Sequence, residues 1–73
     1  MTPTRLRECL VLVRWSQRGL AAALDADERL VRRWASGDAD IPEAVAEWIE
    51  GLAQAHASLP APGRWRSRET ALS

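Results

Sequence analysis

Residues 16–37, SQRGLAAALDADERLVRRWASG, hold two helix starts and two helix stops within 22 positions. No other stretch limits the fold as much. Ser16 is a natural N-cap, because its hydroxyl can accept from an orphan backbone N–H one turn in. Gln17 to Leu24 then reads as a short helix, with Leu20, Ala21 and Leu24 on one face. Asp25-Ala26-Asp27 is the turn. Asp27 caps the next helix, and Glu28 suits the positive end of its dipole. Gly37 closes that helix as a C′ residue.

A wheel sorts the second helix into two faces. At about 100° per residue, with Glu28 at zero, Arg32 falls near ~40°, Ser36 near ~80°, Arg29 near ~100° and Arg33 near ~140°. Leu30, Trp34 and Val31 fall near ~200°, ~240° and ~300°. One face is apolar; the other carries three arginines, a glutamate and a serine. A solvated outer face is the plain interpretation. A face for nucleic acid is the other, because guanidinium groups suit bidentate contacts to guanine and charge contacts to phosphate.

A chain of 73 residues makes one domain with a small core, to which self-association adds. All ten basic residues besides His56 are arginine. The formal net charge is zero, but it is unevenly spread. Residues 1–37 carry +3, residues 38–63 carry −5, and residues 64–73 carry +2. Such a split permits an oriented approach to a polyanion. Cys9 stands alone, so no intrachain disulfide is expected. With no secretory signal and no apolar run near 18 residues, a cytoplasmic protein without a membrane span is expected.

The first helix opens at Thr2-Pro3, cap and first position. Leu6, Cys9, Leu10 and Val13 recur at helical spacing, so Cys9 reads as a small core residue. Arg5, Arg7 and Arg14 fall off that stripe. Trp15 stands where a hydrophobic staple would meet Leu20 or Ala21. Gly19 either admits another backbone closely or is simply tolerated.

After Gly37, residues 38–41 form a loop and Pro42 starts the fourth helix, with Asp40 and Glu43 at capping-box spacing. Val45, Trp48, Ile49 and Leu52, then Ala53, form its apolar stripe; Glu47 and Glu50 fall off it. Trp48 and Leu52 are candidates for core or a dimer surface. His56 suits the helix end. Residues 58–73 form a tail in which Pro60, Pro62 and Gly63 favour an extended connector. Its Arg64-Trp65-Arg66-Ser67-Arg68 is a solubilising segment, a basic arm on nucleic acid, or a dock for Trp65 on a second subunit. There is no repeat, strand pattern, phosphate loop, metal-spaced His/Cys cluster or nucleophile–base pair, so no enzyme, cofactor, metal or small-molecule substrate is expected.

The segment resembles the helix-turn-helix of the Cro/C1-type (XRE-like) repressors. The matching marks are Ser16-Gln17, Leu20-Ala21, Leu24, Val31, Trp34 and Ser36-Gly37, followed by Ile41-Pro42. The likeness implies an all-α, lambda-repressor-like bundle of four or five helices over residues 1–57, with residues 58–73 as the tail. It implies a recognition helix over residues 28–36 in the major groove. Glu28, Arg29 and Arg33 match positions that reach base edges, with Arg32 between base and phosphate. Arg14, Ser16, Gln17, Arg18 and Ser36 are the phosphate candidates. Departures are visible too. Asp25 stands where the family's turn favours Gly. Leu10 and Ala35 replace a frequent Arg–Glu pair and are expected to pack together. Asp38 and Asp40 oppose phosphate contact by the loop.

Two functions follow. One is a homodimeric repressor of double-stranded DNA, with two recognition helices about 34 Å apart on an inverted repeat. By family-level analogy it suits a phage or mobile element, Cro-like or anti-CRISPR-associated. The other is a protein-interaction module on the same fold, an antitoxin or adaptor, using the acidic helix with Trp48 and the Trp65 tail.

Overall fold

The computed structural model describes residues 1–63. Four helices and no strand occur there: α1 (Pro3–Val13), α2 (Gln17–Leu24), α3 (Glu28–Ser36) and α4 (Glu43–Ser58). None is long and apolar enough to cross a membrane.

Each of the first three helices starts on a side-chain cap. Thr2 Oγ1 accepts from Arg5 N at 3.0 Å, Ser16 Oγ from Gly19 N at 2.9 Å, and Asp27 Oδ1 from Arg29 N at 2.8 Å. Each also ends alike, on one left-handed residue: Arg14 (φ 63°), Asp25 (φ 53°) and Gly37 (φ 89°). The following N–H then reaches back to the carbonyl five residues earlier. Trp15 N bonds Leu10 O at 2.9 Å, Ala26 N bonds Ala21 O at 2.9 Å, and Asp38 N bonds Arg33 O at 2.9 Å. These are Schellman closures. Only one has the glycine that makes the left-handed region free of steric cost.

α4 differs at its start. Its N-cap is Pro42, with no side-chain cap bond, so the expected Asp40–Glu43 capping box does not form. A box needs the acceptor at the N-cap and the acid three residues in. Glu43 is instead the first helical residue, and Asp40 lies outside the helix.

All four helices feed one core. α1 gives Leu6, Cys9, Leu10 and Val13; α2 gives Leu20 and Ala21; α3 gives Val31, Trp34 and Ala35; α4 gives Ile49 and Ala53. Leu10 and Ala35 thus join the same cluster. α1 is the hub, packing on α3 and α4, while α2 packs on α3. Among the described residues no charged one is buried, though polar links run along the seams. Arg5 clasps Glu50 across the α1–α4 seam, with Nε to Oε2 at 3.0 Å and a second bond from Nη2 to Oε1. Arg7 Nη1 donates to the Ala35 carbonyl at the end of α3.

Candidate nucleic-acid interface

The carbonyl of Asp27 accepts from Leu30 N at 3.0 Å and from Val31 N at 3.4 Å, which completes the first turn of α3. Glu28 lies in that turn, where the dipole favours a carboxylate. The helix is then pinned from one side by Val31, Trp34 and Ala35, all buried. On the wheel these occupy about 240–340°, so the opposite arc near 40–140° must face outward. Arg29, Arg32, Arg33 and Ser36 do so, all exposed, with Glu28 half-buried at the edge.

Leu30 departs from the expected apolar face: it is 37% exposed. Its wheel angle explains this. The buried arc centres near 290°, about 90° from Leu30, which leaves Leu30 on the flank rather than in the core.

The three arginines rest on nearby acceptors. Arg32 Nη2 lies 2.9 Å from Glu28 Oε1, one turn away. Arg29 Nε lies 3.8 Å from Asp27 Oδ1. Arg33 Nη2 reaches the Asp38 carbonyl at 3.4 Å. Ser36 Oγ lies 3.0 Å from Asp38 Oδ2 and 3.2 Å from the Arg33 carbonyl. Residues 27–38 therefore carry three positive and three negative charges. Exposed pairs of this kind contribute only about 0.2–1 kcal/mol each. They hold the guanidinium groups near the helix without locking them.

The other expected contacts are less tightly grouped. Ser16 caps α2, Gln17 is half-buried at its first position, and Arg18 is exposed. Arg14 is exposed too, but it lines a groove with Leu12, His56 and Leu59, on the α1–α4 side. Trp48 is 38% exposed, and its indole meets Trp15 with ring centroids 5.8 Å apart. Trp15 also packs against the core cluster that includes Leu20 and Ala21. Leu52 is half-buried against the core. A Cβ on Gly19 would meet only Ser16 Oγ at 3.4 Å and Trp15 Cβ at 3.8 Å, so no distant backbone crowds it. Trp65 and the arginines around it lie outside the described residues.

The Arg5–Glu50–Cys9 group had no place in the sequence argument. The Cys9 thiol donates toward Glu50 Oε2 at 3.5 Å. Arg5 holds the Glu50 carboxyl below the usual carboxylate range. In return the bond to Glu50 raises Arg5 further. Burial first, and then Glu50, push the Cys9 thiol up, so it stays protonated at neutral pH. Arg5 and Glu50 are 45 residues apart. The only signal was position: each sits beside a fully buried residue, Leu6 or Ile49, on the edge of its apolar stripe.

Among the described residues no cluster of His, Cys, Asp or Glu is arranged to hold a metal ion. Comparison with known protein families, with curated proteins and with solved structures finds no match to this chain.

Proposed function

We propose that this chain binds double-stranded DNA sequence-specifically, as a dimeric transcriptional repressor or autoregulator. On this reading α2, its turn and α3 act as a helix-turn-helix of the Cro/C1-type in a lambda-repressor-like bundle, and α3 enters the major groove. The carrying observation is the two-sidedness of α3. One side is anchored by Val31, Trp34 and Ala35, and the other offers Arg29, Arg32 and Arg33 to solvent.

Magnitudes favour exchange of partners. Each surface pair given up is worth about 0.2–1 kcal/mol. A bidentate arginine–guanine contact discriminates by about 1–3 kcal/mol, and phosphate contacts add counterion release. Arg29 and Arg33 take the base-reading role, and Glu28 accepts from a cytosine amino group. Arg32 reaches base or phosphate. Ser16, Gln17 and Arg18 serve the backbone at the start of α2, where partial positive charge gathers. Ser36 joins them once its hydroxyl leaves Asp38. No bond is made or broken; occupancy of a promoter is the whole effect. A phage or mobile-element setting remains analogy at the level of the family.

Selection of bound sites from random duplexes tests this. The expected product is an inverted repeat whose half-sites lie about one helical turn apart, centre to centre. Unselected sequence in the bound fraction would refute it.

A second reading has its own support. Trp48 is partly exposed beside Glu47, on a helix whose other charges are Glu43 and Glu50, and the charges over residues 27–38 cancel. An interaction module, antitoxin or adaptor, would use that side. A salt titration separates the two, because DNA binding falls steeply with salt and an indole-centred contact does not.

A further inference from the structure

Away from α3, the strongest apolar exposure runs along α1 and the end of α4. Val11 is 76% and Leu59 80% exposed, the two highest values among the large aliphatic residues described; Leu12 is 45% exposed. These residues are joined by adjacent grooves. One groove holds Glu8, Val11 and Leu12, the next Leu12, His56 and Leu59, and a third His56, Leu59 and Leu52. Shared walls make them one strip across two helices.

We propose that this strip is where a second copy of the chain packs, with the two α1 helices crossing antiparallel about a twofold axis at Val11. The charge pattern selects that occupant. Glu8 lies three residues before Val11 and Arg14 three after it. An antiparallel crossing at Val11 sets Glu8 near Arg14 of the partner subunit, and the symmetry repeats the pair on the other side. A parallel crossing would oppose Glu8 to Glu8 of the partner subunit. Arg5, the other charged side chain that lines these grooves among the described residues, is already committed to Glu50. The strip therefore matches its own copy in charge as well as in apolar character. Among the described residues its lining sets Glu8 beside Arg5 and Arg14, not the uniformly basic rim that would suit an anionic membrane. A chain of this length also gains from added burial. Trp48, by contrast, already spends part of its ring on Trp15.

This deepens the dimeric reading above and can be separated from it, since mass reports the contact and DNA affinity reports α3. The full chain, measured by light scattering during gel filtration, should show twice its mass of 8.1 kDa. Val11→Glu apposes two carboxylates at the axis and should weaken the dimer on the order of a hundredfold. Its circular dichroism should stay unchanged, because the Val11 side chain is largely in solvent. Leu59→Glu should act in the same direction. Glu8→Arg alone should weaken the dimer, and Glu8→Arg with Arg14→Glu should restore it. A monomeric wild type at ~100 μM, or a dimer indifferent to Val11→Glu and Leu59→Glu, would overturn the proposal. So would a double swap that fails to rescue. Val11→Glu should still bind a half-site through α3, and loss of DNA binding by α3 variants in an intact dimer would sink the DNA reading alone.

Discussion

Arginines line two sides of this molecule and meet opposite fates. Along the seams of α1, Arg5 is closed onto Glu50 of α4 by two bonds and Arg7 onto the Ala35 carbonyl of α3. On α3, Arg29 and Arg32 each lean on an acid within four residues in sequence, and Arg33 on a carbonyl five residues on. The first kind of link ties separate helices together. The second kind ties a helix only to itself and its flanks. Sequence distance thus separates an arginine that builds the fold from one left free for a partner. The local pairs contribute little to stability, and for the same reason they are easily exchanged.

The largest effects should come from the packing that both sides share. Trp34→Ala empties the anchored side of α3 and should cost about 3–5 kcal/mol, and Ile49→Ala about 2–5 kcal/mol on the α4 side. Urea unfolding followed by circular dichroism measures both. A small shift for Trp34→Ala would mean that α3 is not held by its buried side.

Next comes the contrast between the two acids. Glu50→Gln should lower the urea midpoint clearly. Glu28→Gln, which removes only a one-turn surface pair, should change stability by about 0.3–0.5 kcal/mol. The pH dependence sharpens this. Glu50 is held below its ordinary value, so its contribution is present above the unfolded carboxylate range. It is lost as pH falls through the lowered value in the folded state. The midpoint of wild type should therefore drop between neutral pH and pH ~3, and Glu50→Gln should flatten that drop. An equal flattening by Glu28→Gln would erase the difference between the two acids.

The smallest effects lie at the helix ends. Arg14→Gly and Asp25→Gly should each stabilise by about 0.5–1 kcal/mol, because each residue now holds a left-handed conformation against its Cβ. Gly37→Ala should do the reverse by a similar amount. No gain at Arg14 would indicate that its side chain returns as much in contacts as its backbone loses.

Much of this was legible beforehand, for a local reason. Thr2, Ser16 and Asp27 cap through bonds that span two or three residues, so sequence spacing alone reveals them. Leu6, Leu20, Val31 and Ile49 follow the helical period that buries them. What escaped was either set by the neighbouring helix or hidden at an edge. Arg5–Glu50 and Trp15–Trp48 depend on how α1 meets α4, which no local spacing encodes. Leu30 lies about 90° from the centre of the buried arc, and Asp40 lies two residues before the Pro42 N-cap, so neither takes the place its spacing suggests. Arg14 gives no compositional sign of a left-handed stop; the closure is recognisable only from the bond of Trp15 N to Leu10 O. For the candidate interface, the wheel separated the exposed arginines correctly but not the acceptors on which they rest.

The central claim is that the outward side of α3 contributes to binding and not to folding. Arg29→Ala and Arg33→Ala, measured for stability and for affinity to a selected duplex, test it most directly. Each should leave unfolding within about 0.5 kcal/mol of wild type, while costing about 1–3 kcal/mol of DNA affinity and relaxing base preference. Unchanged affinity and preference in both variants, with the protein folded, would contradict the account.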